Sequence, residues 1–273
     1  MNRREALAAL AGSCLCAAPS GGHAAERLPD GEITVAKGTR AWLTGPTTRY
    51  GHGVLGDAIE AEGIEVETQE RRLSYTLGHD AVFEDRRVRL VDMDADGRPE
   101  ALVVKAYMDR GAALALYRIG RDRIDPLAES GPIGRPHRWL NPVGTGRFTG
   151  TGETMIAAVV TPHLAGSLRL YRLKGDTLEP VASIDGFTNH IIGSRDLDLA
   201  WLTDVDGDGV PEIVIPSLDR RSLAVISFRD GQPRILSRHP LPQRIVTLAQ
   251  PVGATVVAVL DDRSVVSIAL TER

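Results

Sequence analysis

The stretch 204-DVDGDGVPE-212 places four acidic residues around two glycines, directly before the apolar run 213-IVIPS-217. Glycine permits a tight turn, in which alternating side chains converge on one point. A near copy, 92-DMDADGRPE-100, and a degenerate copy, 147-RFTGTGETM-155, occur earlier, and the three copies start 55 and 57 residues apart. The loop therefore belongs to an internal repeat.

Each copy of the loop is followed by the same succession of segments. An apolar run and a polar turn lead to an alternating segment: 113-ALALYRI-119, 167-SLRLYRL-173 and 222-SLAVISF-228. Period-two alternation with β-branched and aromatic side chains predicts strands. One further strand is expected before each loop and one after each alternating segment. Four short strands in roughly 50 to 57 residues are typical of a β-propeller blade.

The whole pattern predicts an all-β fold, a β-propeller of about five four-stranded blades. A first blade is expected from about residue 41 to residue 77, and 255-TVVAVLDDRSVVSIAL-270 is expected in the last. The N-terminal 32-EITVA-36 is predicted to complete that last blade, so that the N- and C-terminal strands close one blade and leave no free edge. Four or six blades remain alternatives because the first blade is irregular. No linker divides residues 26–273, which are expected to form a single β-propeller domain.

Residues 1–25 have the pattern of an export signal peptide, with a basic start, an apolar stretch and small residues at the end. The opening 2-NRREALA-8 resembles a twin-arginine signal, but Ala6 stands where a large apolar residue is usual. Twin-arginine and general secretory export therefore stay open, with lipidation at Cys14 as a weaker alternative. The mature chain is expected in the periplasm or outside the cell. It has no cysteine after the signal and forms no disulfide.

The formal net charge of −4 argues against nucleic acid or an anionic lipid surface as a partner. After the signal, no apolar stretch reaches the roughly 18 residues that span a bilayer. The sequence therefore predicts a mature chain without a transmembrane segment, and a monomer is expected.

The two acidic loops have the composition of calcium sites, because hard cations prefer oxygen ligands and neither loop contains Cys or His. The predicted ligands of the first site are Asp92, Asp94, Asp96, the carbonyl of Arg98, and Glu100. The predicted ligands of the second site are Asp204, Asp206, Asp208, the carbonyl of Val210, and Glu212. Two Ca²⁺ ions are therefore predicted. The alternative is a turn rich in Asp and Gly without metal.

An acidic loop followed by an apolar strand, repeated at blade spacing, resembles the FG-GAP or VCBS repeat of secreted bacterial proteins and of integrin α-subunit propellers. The resemblance is clearest over residues 85–230. It implies a calcium-bearing propeller with the carboxylate ligands named above. Propellers of this kind are mostly adhesion or recognition modules and a few are enzymes, so the resemblance by itself implies no single activity.

The function predicted from the sequence is an exported binding or scaffold module for a protein or glycan, without catalysis. No GxSxG or HExxH motif is present, and the mature chain has no thiol nucleophile. The alternative is a hydrolase or lyase acting on a carbohydrate or small molecule at a histidine-bearing face formed by His137, His163 and His190. Solvated loop histidines explain the same pattern. Arg135 and Arg138 flank His137 and suit an anion or a solvated loop equally well.

Overall fold

The computed structural model describes residues 25–271 and shows an all-β chain with 50% of its residues in strands. The described residues contain one short 3-10 turn, Gly53–Leu55, and no α-helix. The prediction of an all-β fold is confirmed. Apart from Ala25, the predicted export signal lies outside the described residues.

The strands follow one another as five antiparallel groups along the chain. Group 1 consists of β1 (Thr34–Ala36), β2 (Thr39–Thr47), β3 (Glu60–Glu67) and β4 (Arg72–Thr76). Group 2 consists of β5 (Ala81–Phe83), β6 (Arg89–Val91), β7 (Glu100–Tyr107), β8 (Gly111–Ile119) and β9 (Ile124–Glu129). Group 3 consists of β10 (Leu140–Gly146), β11 (Met155–Val160), β12 (Ser167–Lys174) and β13 (Thr177–Ile184).

Groups 1 to 3 are joined into one strongly curled sheet of 13 strands that resembles half a barrel. The joints are narrow: Ala61 of β3 pairs with Phe83 of β5, and Thr177 of β13 pairs in parallel with Glu129 of β9. Groups 4 and 5 form separate sheets. Group 4 consists of β14 (Trp201–Thr203), β15 (Glu212–Pro216), β16 (Ser222–Ser227) and β17 (Arg234–Pro240). Group 5 consists of β18 (Ile245–Leu248), β19 (Thr255–Leu260) and β20 (Val265–Ala269).

The sequence repeat has a counterpart in strand geometry. In groups 2, 3 and 4, the pairing register shifts between the fourth and fifth residues of the aligned alternating segment. The shifts fall at Leu116/Tyr117, Leu170/Tyr171 and Val225/Ile226. A β-bulge bends its strand and increases the local twist, so the three groups bend at the same place.

Each part of the hydrophobic core lies between two consecutive groups. Val103 of β7 packs against group 1, whereas its neighbours Leu102 and Val104 pack against group 3. Val214 of β15 likewise packs against group 5, whereas Ile213 packs against group 3. Because successive strand residues point to opposite faces, these central strands are buried on both sides. Complete burial of one such side chain contributes about 2 kcal/mol.

The predicted closure of the last blade by the N-terminal strand is wrong. β1 pairs antiparallel with β2, with Thr34 opposite Ala41, and so belongs to group 1. Among the described residues, group 5 therefore has three strands and β20 has no neighbour on its outer side. A short turn at Lys37 and Gly38 makes the local hairpin the nearest pairing for β1.

Across residues 25–271, no helix has the length and apolar character needed to cross a bilayer.

Candidate acidic loops and histidine pocket

The acidic loop of group 4 joins β14 to β15 and brings three carboxylates together. One oxygen from each of Asp204, Asp206 and Glu212 lies within 4.8 Å of the other two. Glu212 is completely buried, and its Oε2 accepts the N–H of Val205 at 2.8 Å. Its Oε1 is buried without a hydrogen-bond partner. A buried carboxylate oxygen without a partner is costly, and a bound cation is one way to satisfy it.

One of the predicted ligands of this loop, Asp208, has other contacts in the structure. Asp208 forms an ion pair with Arg229, which follows β16. Asp208 also accepts the N–H of Val210 at 2.7 Å through Oδ1, so both residues shape the turn. Asp208 is therefore outside the group of three converging carboxylates. This ion pair could not be predicted from the loop sequence, because Arg229 lies 21 residues further along the chain.

The acidic loop of group 2 joins β6 to β7 and brings Asp92, Asp94 and Asp96 within 4.8 Å of one another. Glu100 is outside this set, and its Oε2 accepts the N–H of Met93 at 2.9 Å. The N–H of Arg98 donates to Asp96 at 2.7 Å, which closes the turn. Oδ1 of Asp92 is buried without a partner, as Oε1 of Glu212 is.

A lysine that sequence reasoning did not single out contacts the group 2 loop. Nζ of Lys37 donates to Oδ2 of Asp92 at 2.9 Å and to the carbonyl of Gly97 at 3.2 Å. This ammonium lowers the pKa of Asp92 by a hydrogen bond. At the group 2 loop, the positive charge therefore contacts one of the three converging carboxylates, whereas Arg229 at the group 4 loop pairs with Asp208, which is outside the converging set.

The degenerate loop of group 3 closes without carboxylates. The hydroxyl groups of Thr149 and Thr151 lie 2.7 Å apart, and the completely buried Phe148 anchors the turn from below. This neutral loop is a natural comparison for the two acidic ones.

The predicted histidine-bearing loops lie at the opposite strand ends from the acidic loops, because strand direction alternates within an antiparallel group. The structure brings His137 and His163 to one pocket of about 180 Å³, with His52 as a third imidazole. His190 lies behind His163. Because His52, His137 and His163 belong to connections of three different groups, the pocket is a tertiary feature.

His163 and His190 form a hydrogen-bonded pair. Nε2 of His190 donates to the carbonyl of Ser194 at 2.9 Å, since a carbonyl oxygen accepts only. Its Nδ1 is then the acceptor for Nε2 of His163, 2.9 Å away. In the neutral pair, Nδ1 of His163 keeps its lone pair. Burial lowers the pKa of both imidazoles to about 4, so both are neutral at pH 7.

The imidazole of His52 contacts a buried carboxyl group that sequence reasoning missed. Nδ1 of His52 lies 2.5 Å from Oε1 of Glu84, which is 1% exposed. The other oxygen of Glu84 has no hydrogen-bond partner. Burial raises the pKa of Glu84 well above its usual range, and the negative charges of Glu60 and Asp85 add to the effect. A protonated Glu84 donates to Nδ1 and leaves Nε2 of His52 as the N–H nitrogen.

Aromatic contacts fix the rings around the pocket. Trp139 is buried, stacks on His163 at 6.2 Å between centroids, and donates to the carbonyl of Glu84 at 2.9 Å. His52 stacks on His137 at 5.1 Å, and Tyr50 accepts the N–H of His137 at 2.9 Å. Trp139 therefore serves mainly as packing between groups.

The backbone of the pocket is strained at two residues. His137 and Thr161 both line it and have φ values of 53° and 48°. A positive φ is uncommon outside glycine and is a marked outlier for a β-branched residue such as threonine. Such strain tends to concentrate at functional sites.

The histidines do not form a chelating site in this arrangement. Within residues 25–271, the two acidic loops account for the sets of three His, Cys, Asp or Glu ligand atoms that lie within 4.8 Å of one another. The pocket residues are not among them. The imidazoles of the pocket can still form hydrogen bonds to a ligand or exchange a proton with it.

Two other histidines, His79 and His239, lie outside the pocket. His79 is exposed in the β4–β5 connection. His239 lies within β17, where its Nε2 is 2.8 Å from Oγ of Ser237.

Sequence reasoning missed two residues of the pocket region, Glu84 and His52, because they belong to no recognisable motif. Their burial and unusual contacts are visible only in three dimensions.

No protein-family model matches this sequence, and no curated protein matches it either. The geometry of the chain itself is therefore the basis for a functional proposal.

Acidification between about pH 6.5 and pH 4 is expected to remove the contribution of the neutral His163–His190 pair to stability. The unfolded histidines bind protons from about pH 6.5 downward, whereas the folded His163 and His190 bind them only near pH 4. The stabilisation from the two neutral histidines is therefore fully present above pH 6.5. Its loss should lower the free energy of unfolding by about 2 kcal/mol towards pH 4, after allowance for solvent screening. Urea unfolding at pH 7 and pH 4.5 measures this. His163→Gln should reduce the fall and His79→Gln should not; an unchanged fall in His163→Gln would contradict the assignment.

Glu84→Gln is expected to raise the free energy of unfolding at pH 8 by about 1 kcal/mol or more. The folded Glu84 keeps a proton that the unfolded carboxyl group loses above its ordinary pKa. The parent therefore loses stability as pH rises through the folded pKa, and the gain of the variant should disappear below pH 4. Glu70→Gln, at a side chain 79% exposed, is the control. A variant less stable than the parent at pH 8 would indicate an ionised Glu84 paired with a charged His52.

Proposed function

We propose that this chain is an exported β-propeller of the FG-GAP or VCBS type that acts as a recognition or scaffold module in the periplasm or outside the cell. Its ligand, a protein or glycan, is held at the histidine pocket, and calcium stiffens the loops at the opposite strand ends. The observation that carries the proposal is the pocket itself, to which three separate groups contribute a half-buried or exposed imidazole.

The propeller architecture is supported by the five antiparallel groups and by the cores between consecutive groups. The equivalent bulges in groups 2, 3 and 4 support a common blade structure. In this proposal, each group is one blade, and group 5 is a blade of three strands.

Calcium at the group 4 loop is supported by the unpartnered, fully buried Oε1 of Glu212 beside Asp204 and Asp206. The donor set is composed of carboxylates, which suits a hard cation. At the group 2 loop, Asp92, Asp94 and Asp96 supply the same chemistry, and Lys37 competes for Asp92. Such an ion cross-links the turn and has no part in a reaction.

The test is binding of the mature chain to a panel of immobilised bacterial polysaccharides and peptides. His137→Asn keeps a residue that tolerates a positive φ and removes an exposed imidazole from the pocket. His79→Asn, at an exposed loop outside the pocket, is the matched control. We expect binding that is weakened at least tenfold in His137→Asn and unchanged in His79→Asn. Equal binding by both variants, or no binding to any member of the panel, would refute the recognition site.

A second candidate function is a hydrolase or lyase acting on a carbohydrate or small molecule. It is favoured by two pocket imidazoles that each contact a second titratable side chain. His52 contacts Glu84, and His163 contacts His190. A base oriented by a third group is a common catalytic arrangement. Release of reducing ends or of unsaturated sugars from the same panel, lost in His163→Gln, would establish it. Binding without any turnover would leave the recognition module.

A further inference from the structure

The pocket has one charged side chain at its wall, and this charge is positive. Arg138 lines the pocket, and its Nη1 donates to the carbonyl of His137 at 3.2 Å. Among residues 25–271, no carboxylate lies within 4.0 Å of its guanidinium to form an ion pair. The remaining N–H groups of this guanidinium are therefore available to a ligand.

Burial disfavours the charged form of His52, His163, His190, Glu60 and Glu84 around the pocket. His163 and His190 are neutral, and burial, with a smaller effect of Arg138, also lowers the pKa of His52. Burial raises the pKa of Glu84 well above its usual range. Glu60 lies behind the pocket, where its two oxygens accept the N–H groups of Gly51 and His52 at 3.4 and 3.1 Å. The positive field at the pocket wall therefore comes from Arg138, in a chain whose net charge is negative.

We infer that this pocket binds a small hydroxycarboxylate of the sugar-acid class, whose carboxylate pairs with Arg138 and whose adjacent hydroxyl hydrogen-bonds to His52 and His163. The inference rests on the recognition function proposed above and gives that site its ligand chemistry.

A carboxylate fits this wall better than a phosphate. The planar guanidinium fork matches a carboxylate in a bidentate way, and one guanidinium neutralises one carboxylate. A phosphate monoester carries a charge of about −1.5 to −2 at pH 7 and would leave negative charge uncompensated in a pocket with a single cation.

The neutral imidazoles fit a hydroxyl group beside the carboxylate. His163 presents an acceptor nitrogen, and His52 has an N–H nitrogen when Glu84 is protonated. A hydroxyl group both donates and accepts, so it satisfies both nitrogens at once.

The size and rim of the pocket favour a sugar ring. Its volume of about 180 Å³ is below the 300 Å³ or more that is usual for drug-sized ligands. Leu164 and Ile192, which are 57% and 67% exposed, flank its opening. Apolar side chains at the rim can cover the C–H face of a pyranose while its polar edge reaches the imidazoles.

The experiment is calorimetric titration of the calcium-loaded mature chain with sodium glucuronate, glucose and inorganic phosphate. We expect glucuronate to bind at least tenfold more tightly than glucose or phosphate. Arg138→Gln should lower glucuronate affinity at least tenfold, whereas Arg135→Gln should leave it unchanged, because Arg135 is exposed in the same connection but does not line the pocket. Thermal unfolding of both variants checks that the fold is kept.

Several outcomes would overturn the inference: no glucuronate binding, phosphate binding as tight as glucuronate, or equal losses in Arg138→Gln and Arg135→Gln. The polysaccharide and peptide panel separates this failure from failure of the proposed function. If a member of the panel binds through His137 while glucuronate does not, the recognition site stands and the hydroxycarboxylate is wrong. If neither binds, both proposals fail.

Discussion

Excess EDTA is expected to lower the free energy of unfolding by about 3 kcal/mol for each calcium-loaded loop, if free calcium had exceeded the dissociation constant a hundredfold. The proposed ion would bind the folded loop and not the unfolded chain, because the unfolded chain does not hold Asp204, Asp206 and Glu212 within 4.8 Å. Thermal and urea unfolding with calcium and with chelator measure the difference. An unchanged melting temperature would mean that the acidic loops are turns without metal.

Glu212→Gln makes this test specific, because its effect should change sign with calcium. The amide keeps an acceptor for the N–H of Val205 but removes the buried negative charge whose Oε1 is unpartnered. With calcium, the variant should be less stable than the parent, since it loses a ligand. With chelator, it should be more stable, since it no longer buries an uncompensated carboxylate.

The neutral third loop supplies the control for the calcium test. Glu153→Gln changes an acid of the group 3 loop, where Thr149 and Thr151 close the turn without a set of carboxylates. This variant should respond to calcium and to EDTA as the parent does. Asp92→Ala should remove a separate binding event at the group 2 loop, and Lys37 should make that site the weaker of the two. Calorimetry that shows two unequal sites, each lost with its own variant, is the expected result.

Gly166→Ala is expected to cost about 3 kcal/mol or more of stability. Gly166 has a φ of 62°, and an added Cβ would lie 2.0 Å from the carbonyl oxygen of Phe187 and 2.9 Å from Leu218. The left-handed conformation costs an alanine about 1 kcal/mol, and the clash with backbone adds the cost of overpacking. Urea unfolding at pH 7 measures the loss.

Gly175→Ala is the matched control, because Gly175 also has a φ of 62° but an added Cβ would meet nothing within 4 Å. It should cost about 1 kcal/mol. Equal effects of the two substitutions would mean that the contact of Gly166 with Phe187 yields without strain. The close approach matters for the pocket, since it joins the loop of His163 to the segment that carries His190. Gly166→Ala should therefore also weaken ligand binding, and Gly175→Ala should not.

The strands and the repeat were predictable because their signals are local. The alternation of apolar and polar residues in 113-ALALYRI-119 and in its two related segments predicts strands, whose side chains alternate between two faces. The strands β8, β12 and β16 lie at these segments. For the same reason, each acidic loop was placed correctly after one strand and directly before the next: the loops join β6 to β7 and β14 to β15. Glycines and aspartates in a short stretch largely fix a turn, whatever packs around it.

Pairing between distant segments was not predictable in the same way. The N-terminal strand was predicted to complete the last blade, and only the structure shows that it pairs with β2. The contacts of Asp208 with Arg229 and of Asp92 with Lys37 likewise join residues far apart in sequence. The sequence around a charged residue does not indicate which opposite charge it will pair with, because the pairing depends on how the strand groups pack together.

The sequence by itself determined an all-β repeat with two acidic turns, since strand periodicity and turn chemistry act over a few residues. It also suggested that His137, His163 and His190 share one set of strand ends, because strand direction alternates within each group. Only the tertiary structure decided that His163 and His190 are bonded, that His52 rests on a buried Glu84, and that Arg138 is the cation at the pocket wall. Burial and the meeting of separate groups create these properties, and neither is encoded in any single stretch of the chain.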